Sequence, residues 1–174
     1  MDAQPGALPQ PSVEEYLARI ESLLKDIIRH GGFELSIAIR KGKSVHGEME
    51  APEFVVDFSG AEQELLLQKN AALLDALEYL VLKAVRLEEE FFGRITFDCR
   101  EWRWLRTQEL QLVARVAAER VLETGDPFPL NPMNARERRI VHLALRDQPR
   151  VRTLSEGAGP ERRVVILPDS SERR

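Results

Sequence analysis

The sequence predicts an α+β protein made of two small domains, and three observations support this prediction. The first hundred residues show the order helix, strand, strand, helix, helix, strand, which packs as helices on one sheet. A strong helix stop at Gly125–Pro127 separates a long helix from a second set of elements, a shorter helix and a hairpin. At 174 residues the chain is long enough to bury two small hydrophobic cores.

The first predicted domain covers residues 12–100 and follows a proline-rich, flexible tail over residues 1–11. Ser12 and Glu15 form a capping-box pattern, and the apolar residues after them keep helical spacing up to a glycine pair. A polar, turn-rich stretch joins the first two strands. The other predicted elements are strands over residues 35–40, 53–58 and 94–99 and helical segments over residues 61–67 and 71–91.

The second predicted domain covers residues 101–168 and precedes a polar tail over residues 169–174. It begins with a long helix over residues 101–123, followed by a short extended segment, a shorter helix and a hairpin with strands over residues 151–154 and 163–167. The core-facing residues predicted for the long helix are Leu105, Leu112, Val113, Val116 and Ala117.

The net charge of -4 is unevenly distributed along the chain. Residues 1–100 contain 11 Lys and Arg against 18 Asp and Glu, a net -7, whereas residues 101–174 contain 14 against 11, a net +3. Every basic residue after Lys83 is arginine, whose planar guanidinium suits bidentate contact with phosphate. An ordinary solvated surface can produce the same division, but the second half is the part that an anion would meet first.

The composition argues against several classes of protein. Neither a bilayer-spanning apolar run nor a signal-peptide pattern is found, so we expect a cytoplasmic protein without membrane insertion. Cys99 is the single cysteine, which excludes a disulfide or a cysteine metal site within one chain and predicts a small buried residue. We expect no cofactor.

The helix that begins after Asn134 is the strongest candidate for a functional surface. Asn134 and Glu137 form a capping-box pattern. At about 100° per residue, Arg138, His142 and Arg146 form one continuous polar row, while the apolar residues occupy the rest of the helix. A histidine in an apolar run is usually a core residue, but this row predicts a cationic, phosphate-facing surface. Arg139 would widen it. If the hairpin lies alongside, some of Arg150, Arg152, Arg162 and Arg163 would extend it, but not all four, because alternate residues of a hairpin face inward.

Two stretches resemble a known family. The segment Pro132–Leu145 looks like an R-three-H domain, named for its Arg-x-x-x-His pair, here Arg138 and His142, and Ser155–Gly157 and Arg162–Ile166 match its closing hairpin. Upstream, Leu65–Leu67 and Leu74–Leu80 look like the KH domain that precedes it in bacterial Jag (KhpB) proteins. The resemblance covers roughly residues 53–168 and implies a type II KH-like unit followed by an R-three-H unit with a small three-stranded sheet.

The resemblance also implies a function. Proteins of this family bind single-stranded nucleic acid, mostly RNA, pair with a small KH protein (KhpA), and act in cell-wall homeostasis and cell elongation. On that basis we expect single-stranded RNA, or single-stranded DNA, to contact Arg138, His142, Arg139 and Arg146. A KhpA-like protein, or a second copy of the chain, is the expected partner of the KH-like unit.

The sequence departs from the family at the KH signature. That signature is Gly-x-x-Gly, which lets the backbone approach phosphate closely at a helix N-terminus. The aligned residues here are Gln68, Lys69, Asn70 and Ala71, so both glycines are replaced. Lys69 retains a positive charge that can contact phosphate, and Asn70 can cap the next helix. The close backbone clamp is not expected.

Three hypotheses about function follow. The first is an RNA-binding adaptor that acts mainly through Arg138 and His142. The second is a protein–protein scaffold in which the KH-like unit pairs with another KH subunit and RNA contact is secondary. The third, an enzyme with His142 as general base, has no Gly-rich phosphate loop, nucleophile elbow or metal-ligand spacing to support it.

Overall fold

The computed structural model describes residues 11–42 and 52–169. Most of the predicted N-terminal tail, most of the polar connection between the first two strands and the last five residues of the C-terminal tail lie outside these ranges. The chain divides into two compact units, Met1–Trp102 and Arg103–Arg174. Each contains one three-stranded sheet, in agreement with the predicted α+β class.

The first unit has the predicted order of helices and strands. Its elements are α1 (Val13–Gly31), β1 (Leu35–Lys41), β2 (Phe54–Gly60), α2 (Gln63–Ala84) and β3 (Ile95–Cys99). The α1 helix begins where predicted, because the Ser12 hydroxyl accepts the Glu15 N–H at 3.3 Å. It ends at a left-handed Gly32, and the Phe33 N–H returns to the Ile28 carbonyl in a Schellman motif.

The first sheet has the strand order β1-β2-β3, with β1 antiparallel and β3 parallel to β2. Apolar side chains of α1, α2 and the sheet form one core, which includes Ile20, Leu24 and Leu74. Phe58 and Phe97 contact each other within it, with ring centroids 5.6 Å apart. Cys99 is buried as predicted, and burial is the main cause that raises the pKa of its thiol.

The edge strand β3 is tied to α2 by one carboxylate. A single oxygen of Glu78, Oε2, accepts the Phe97 N–H at 2.6 Å and the Thr96 hydroxyl at 3.0 Å. Both donors belong to consecutive residues of β3, so the α2 side chain covers part of the strand's hydrogen-bonding edge.

The α2 helix is interrupted where the sequence predicted a joint between two helical segments. Gln68 is extended, and Lys69, Asn70 and Ala71 have left-handed φ angles of 51°, 58° and 59°. The prediction that the second segment continues to Phe91 is wrong, since α2 ends at Ala84. Arg86 adopts a left-handed φ of 56°, and the Leu87 N–H bonds back to the Leu82 carbonyl, which terminates the helix.

The second unit contains a long helix, a short helix and the second sheet. Its elements are α3 (Trp102–Thr124), which starts at the last residue of the first unit, β4 (Phe128–Pro129), α4 (Ala135–Ala144), β5 (Val151–Glu156) and β6 (Arg163–Pro168). The sheet order is β4-β6-β5, and both pairings are antiparallel. The hairpin is therefore confirmed, with β5 two residues longer than predicted.

The predicted core face of α3 is largely wrong. Leu105, Leu112 and Val116 are exposed by 53%, 56% and 56%, and Val113 is also exposed, so that of the five predicted residues only Ala117 is buried. The residues of α3 that are buried are Leu110, Ala114, Ala117, Ala118 and Val121. Three of these are alanines, whose short side chains let the helix backbone pack closely. The prediction followed the larger apolar residues and selected a different arc of the helix.

Candidate nucleic-acid interface

The α4 helix starts with the predicted capping box. The Glu137 N–H donates to Asn134 Oδ1 at 2.9 Å, and the Asn134 N–H donates to Glu137 Oε2 at 3.0 Å. Two backbone donors that have no partner within the helix are thereby satisfied. This local bonding fixes the first turn of α4, from which Arg138 and the rest of the polar row project.

Glu137 also binds a residue of α3 that the sequence analysis did not identify. Its Oε1 accepts the Arg106 Nε–H at 2.6 Å, and Arg106 Nη1 donates to Glu109 at 2.8 Å. Burial alone would lower the pKa of Arg106, but its hydrogen bonds to Glu137 and Glu109 outweigh that effect and raise it. One carboxylate thus caps α4 and joins it to α3.

Arg138 is half-buried, and its side chain is hydrogen-bonded to the segment that precedes α4. Its Nη1 donates to the Met133 carbonyl at 2.8 Å. A guanidinium has five N–H donors, so this contact leaves most of them for another partner. Arg139 is exposed on α4. The prediction that Arg146 continues the helical row is wrong, because α4 ends at Ala144 and Arg146 is exposed in the turn that follows, 3.7 Å from the Asp147 carboxylate.

His142 is half-buried, and both of its ring nitrogens contact hydroxyl groups of β5. Nδ1 lies 2.6 Å from Thr153 Oγ1, and Nε2 lies 2.9 Å from Ser155 Oγ. Burial, and secondarily the positive charge of Arg138, lower the pKa of His142 below its ordinary value of 6.5. Without a ligand, the ring is therefore neutral near pH 7 and bonded within its own unit.

The sequence predicts no site role for Thr153 or Ser155, although Ser155 begins the stretch that matches the R-three-H hairpin. They are two residues apart on β5 and therefore face the same side of the sheet, toward α4. The signal that could have found them is this alternation of small hydroxyl residues opposite the histidine. The predicted strand ends at Leu154, so Ser155 falls in the predicted loop.

Two of the four hairpin arginines, Arg152 and Arg163, lie on the opposite face of the sheet from Thr153 and Ser155. Arg152 alternates with Thr153 and is exposed on the opposite face. Arg163 is paired in register with Glu156 and donates to its Oε1 through Nε and Nη2, at 3.1 Å and 2.9 Å. Arg150 and Arg162 are exposed in the segments that flank the strands.

Lys69 lies in the first unit, in the left-handed interruption of α2, and its side chain is exposed. The α4 residues belong to the second unit, so Lys69 is a separate candidate contact. Ala71 occupies the second predicted glycine position with a left-handed φ and is fully buried. Its methyl group therefore points into the core at the position where the KH signature has no side chain.

Residues 11–42 and 52–169 also bear on metal binding, membrane spanning and the pairing of buried polar atoms. No group of three His, Cys, Asp or Glu side chains there is placed to hold a metal ion. In the same residues, no helix combines the length and apolarity needed to cross a membrane. Buried side-chain nitrogen and oxygen atoms in these ranges all have a hydrogen-bond partner.

Comparison with known proteins identifies the class of the second unit. The sequence signature of the R-three-H domain matches residues 108–168, which include most of α3, all of α4 and the hairpin. The Arg138 and His142 pair lies inside this match. The chain is therefore a protein with an R-three-H domain.

Several similar proteins carry one name. The chain is 34% identical over 122 residues to the RNA-binding protein KhpB of Clostridium symbiosum, covering 70% of this chain and 55% of that protein. It is 32% identical over 110 residues to KhpB of Bacillus subtilis, with 62% and 53% covered. For KhpB of Lactiplantibacillus plantarum, the identity is 30% over 111 residues, with 64% and 34% covered.

These similarities place the chain in the KhpB family. The chain spans about half of the length of the Clostridium symbiosum and Bacillus subtilis relatives and about a third of the Lactiplantibacillus plantarum one.

Proposed function

We propose that this chain binds single-stranded RNA through the polar row of α4. The observation that carries the proposal is the pair of Arg138 and His142, each held in place by contacts to other segments of the unit. The R-three-H match over these residues supports it, as does the name RNA-binding protein that the KhpB relatives share. Single-stranded DNA is a second ligand of the same chemistry.

Phosphate contact is the role proposed for the arginines. Arg138 is fixed by Met133 with donors to spare, so it can make two parallel charge-assisted hydrogen bonds to a phosphate. Arg139 projects from the same arc of α4, Arg146 lies in the turn just after the helix, and both add positive charge. Such contacts release counterions, so binding should weaken as salt concentration rises, with little dependence on base sequence.

The role proposed for His142 is contact with a base rather than charged contact with a phosphate. Its two nitrogens are engaged by Thr153 and Ser155, which leaves the ring face for contact with a base. The same engagement counts against the general-base hypothesis, because a general base needs a ring nitrogen within reach of the substrate. We therefore propose a binding protein rather than an enzyme, acting in the cytoplasm.

The experiment that tests this function is a titration of single-stranded RNA followed by fluorescence anisotropy. We expect the double substitution Arg138→Ala with His142→Ala to weaken binding by at least about tenfold, since it removes a charge-assisted contact and the adjacent ring. Arg115→Ala is the matched control, because Arg115 is an exposed arginine of α3. Equal affinity of the double variant and the control would contradict the proposal. Circular dichroism checks that both variants remain folded.

Features of the first unit favour a role in pairing with another protein, in addition to the RNA contact of the second unit. Ala71 fills one of the glycine positions on which a KH clamp depends, and Leu73, Tyr79 and Leu80 of α2 are exposed. We propose that this unit pairs with a small KH-domain protein or with a second copy of the chain, and that Lys69 makes at most an auxiliary phosphate contact. Replacing Gln68 and Ala71 by glycine should leave RNA affinity nearly unchanged. A large gain in RNA affinity would instead indicate that the first unit contacts RNA directly.

A further inference from the structure

His142 is hydrogen-bonded to two hydroxyl groups, Thr153 at Nδ1 and Ser155 at Nε2. The protons available in this chain of hydrogen bonds determine which hydroxyl group can still donate a hydrogen bond to a ligand. A neutral imidazole has one N–H donor and one nitrogen acceptor, so one hydroxyl must donate to the ring and the other must accept from it. The hydroxyl that accepts keeps its own proton for a bond to another partner. One of these two hydroxyl groups is therefore available to a ligand as a donor.

The positions of the two hydroxyl groups in the sheet indicate which of them a ligand beside Arg138 would meet. Thr153 is paired in register with Ile166, which pairs in turn with Phe128. Ser155 lies two residues further along β5, on the side of the segment that leads from Leu130 to Met133. In the tautomer in which Thr153 donates to Nδ1, the ring donates to Ser155 through Nε2 and the Ser155 proton is left for a further acceptor.

Ser155 and Arg138 lie at the same end of the second sheet. Ser155 is paired in register with Val164, whose carbonyl accepts the Leu130 N–H. Just beyond Leu130, the Met133 carbonyl holds Arg138. The strand β6 separates Ser155 from the Leu130 segment, so the spacing of strands places the Cα atoms of Ser155 and Leu130 about 10 Å apart. Arg138 also lies one helical turn before His142, which contacts Ser155, so Ser155 and Arg138 can contact neighbouring groups of one extended strand.

We propose that the Ser155 hydroxyl, oriented by His142, is a further nucleic-acid-binding group that donates a hydrogen bond to a backbone oxygen of the bound strand. The acceptor is a phosphate oxygen or a ribose 2′-hydroxyl next to the phosphate held by Arg138. His142 is then a positioning residue for Ser155, in addition to offering its ring face. This inference rests on the proposed RNA-binding function and adds a specific ligand group to it.

The test compares the affinities of one single-stranded sequence, made as RNA and as DNA, for the wild-type chain and for variants. We expect Ser155→Ala to weaken RNA binding by about tenfold, the usual effect of removing one hydrogen bond to a charged or polar backbone group. Ser155→Thr keeps the hydroxyl and should restore most of the affinity. Ser59→Ala removes an exposed hydroxyl of β2 and is the matched control.

The two possible acceptors give different results. A loss that is equal for RNA and DNA identifies a phosphate oxygen, whereas a loss confined to RNA identifies the ribose 2′-hydroxyl. If Ser155→Ala binds both strands as the wild type does while Arg138→Ala loses affinity, this inference is wrong and the proposed function stands. If the wild-type chain binds neither strand, the proposed function fails and the inference fails with it.

Discussion

Glu137 and Arg106 form an ion pair that fixes the position of the α4 helix relative to α3. The contact joins Oε1 of Glu137 to Nε of Arg106 at 2.6 Å, and Glu137 is only 7% exposed. The second carboxylate oxygen of Glu137 accepts the Asn134 N–H. The helix that carries Arg138 and His142 is therefore held at its first turn by one side chain with two functions.

Glu137→Gln should destabilise the second unit by about 3 kcal/mol, because it weakens the cap and leaves the Arg106 charge with less compensation in a buried place. Denaturant unfolding followed by circular dichroism measures this loss. Glu156→Gln is the control, since Glu156 pairs with Arg163 on the surface and should cost less than about 1 kcal/mol. Equal effects of the two substitutions would contradict the structural role of Glu137.

We expect the free energy of unfolding to decrease as the pH falls below neutrality, because His142 becomes protonated. Burial and then Arg138 lower the folded-state pKa of His142 below 6.5, so the unfolded chain binds a proton more readily. The contribution is complete above about pH 6.5 and declines as the pH falls from there through the folded-state pKa. Thermal unfolding at pH 7.5 and at pH 5.5, conditions chosen about one unit on either side of that value, should show a smaller difference for His142→Asn than for the wild type. An unchanged difference in the His142→Asn variant would contradict this role of His142.

Arg138→Ala should reduce the salt dependence of RNA binding as well as the affinity. Removing one phosphate contact lowers the slope of log affinity against log salt by about 0.7 for a single strand. Anisotropy titrations at several salt concentrations measure the slope. Arg152→Ala, on the opposite face of the hairpin, should leave it unchanged. If Arg152→Ala lowers the slope as much as Arg138→Ala does, the ligand contacts the face of the hairpin that carries Arg152, and our proposal is contradicted.

Lys69→Gly should stabilise the first unit by about 0.5–1 kcal/mol. Lys69 is exposed with a φ of 51°, a left-handed conformation that is unfavourable for residues with a Cβ and free of that cost for glycine. Lys69→Ala retains the Cβ and should show no comparable gain in denaturant unfolding. A stabilisation of the same size by alanine would mean that charge, rather than backbone conformation, governs this position.

The parts of the fold that the sequence predicted correctly depend on local signals. The cap of α4 needs only Asn134 and Glu137, and the end of α1 needs only a glycine with a left-handed φ. Apart from Ala117, the buried face of α3 is not predicted, because alanines such as Ala114 and Ala118 give a weak apolar signal although they pack tightly. Its exposed leucines gave the stronger signal.

The candidate site was predicted in part for the same reason. Arg138 and His142 are four residues apart on one helix, so their proximity follows from helical geometry. The partners Arg106, Thr153 and Ser155 come from other elements, and no local spacing connects them to α4. Their assignment required the tertiary structure, which places both ring nitrogens of His142 in contact with hydroxyl groups of β5.

The contact of the Glu78 carboxylate of α2 with β3 affects whether molecules of this protein can associate through their sheet edges. An exposed strand edge is a template for a fourth strand from another chain, and that pairing starts from unsatisfied backbone N–H groups. On β3 the Phe97 N–H is already bonded to Glu78. Growth of the first sheet from this side would first require that carboxylate to leave, which protects the protein against edge-to-edge aggregation there.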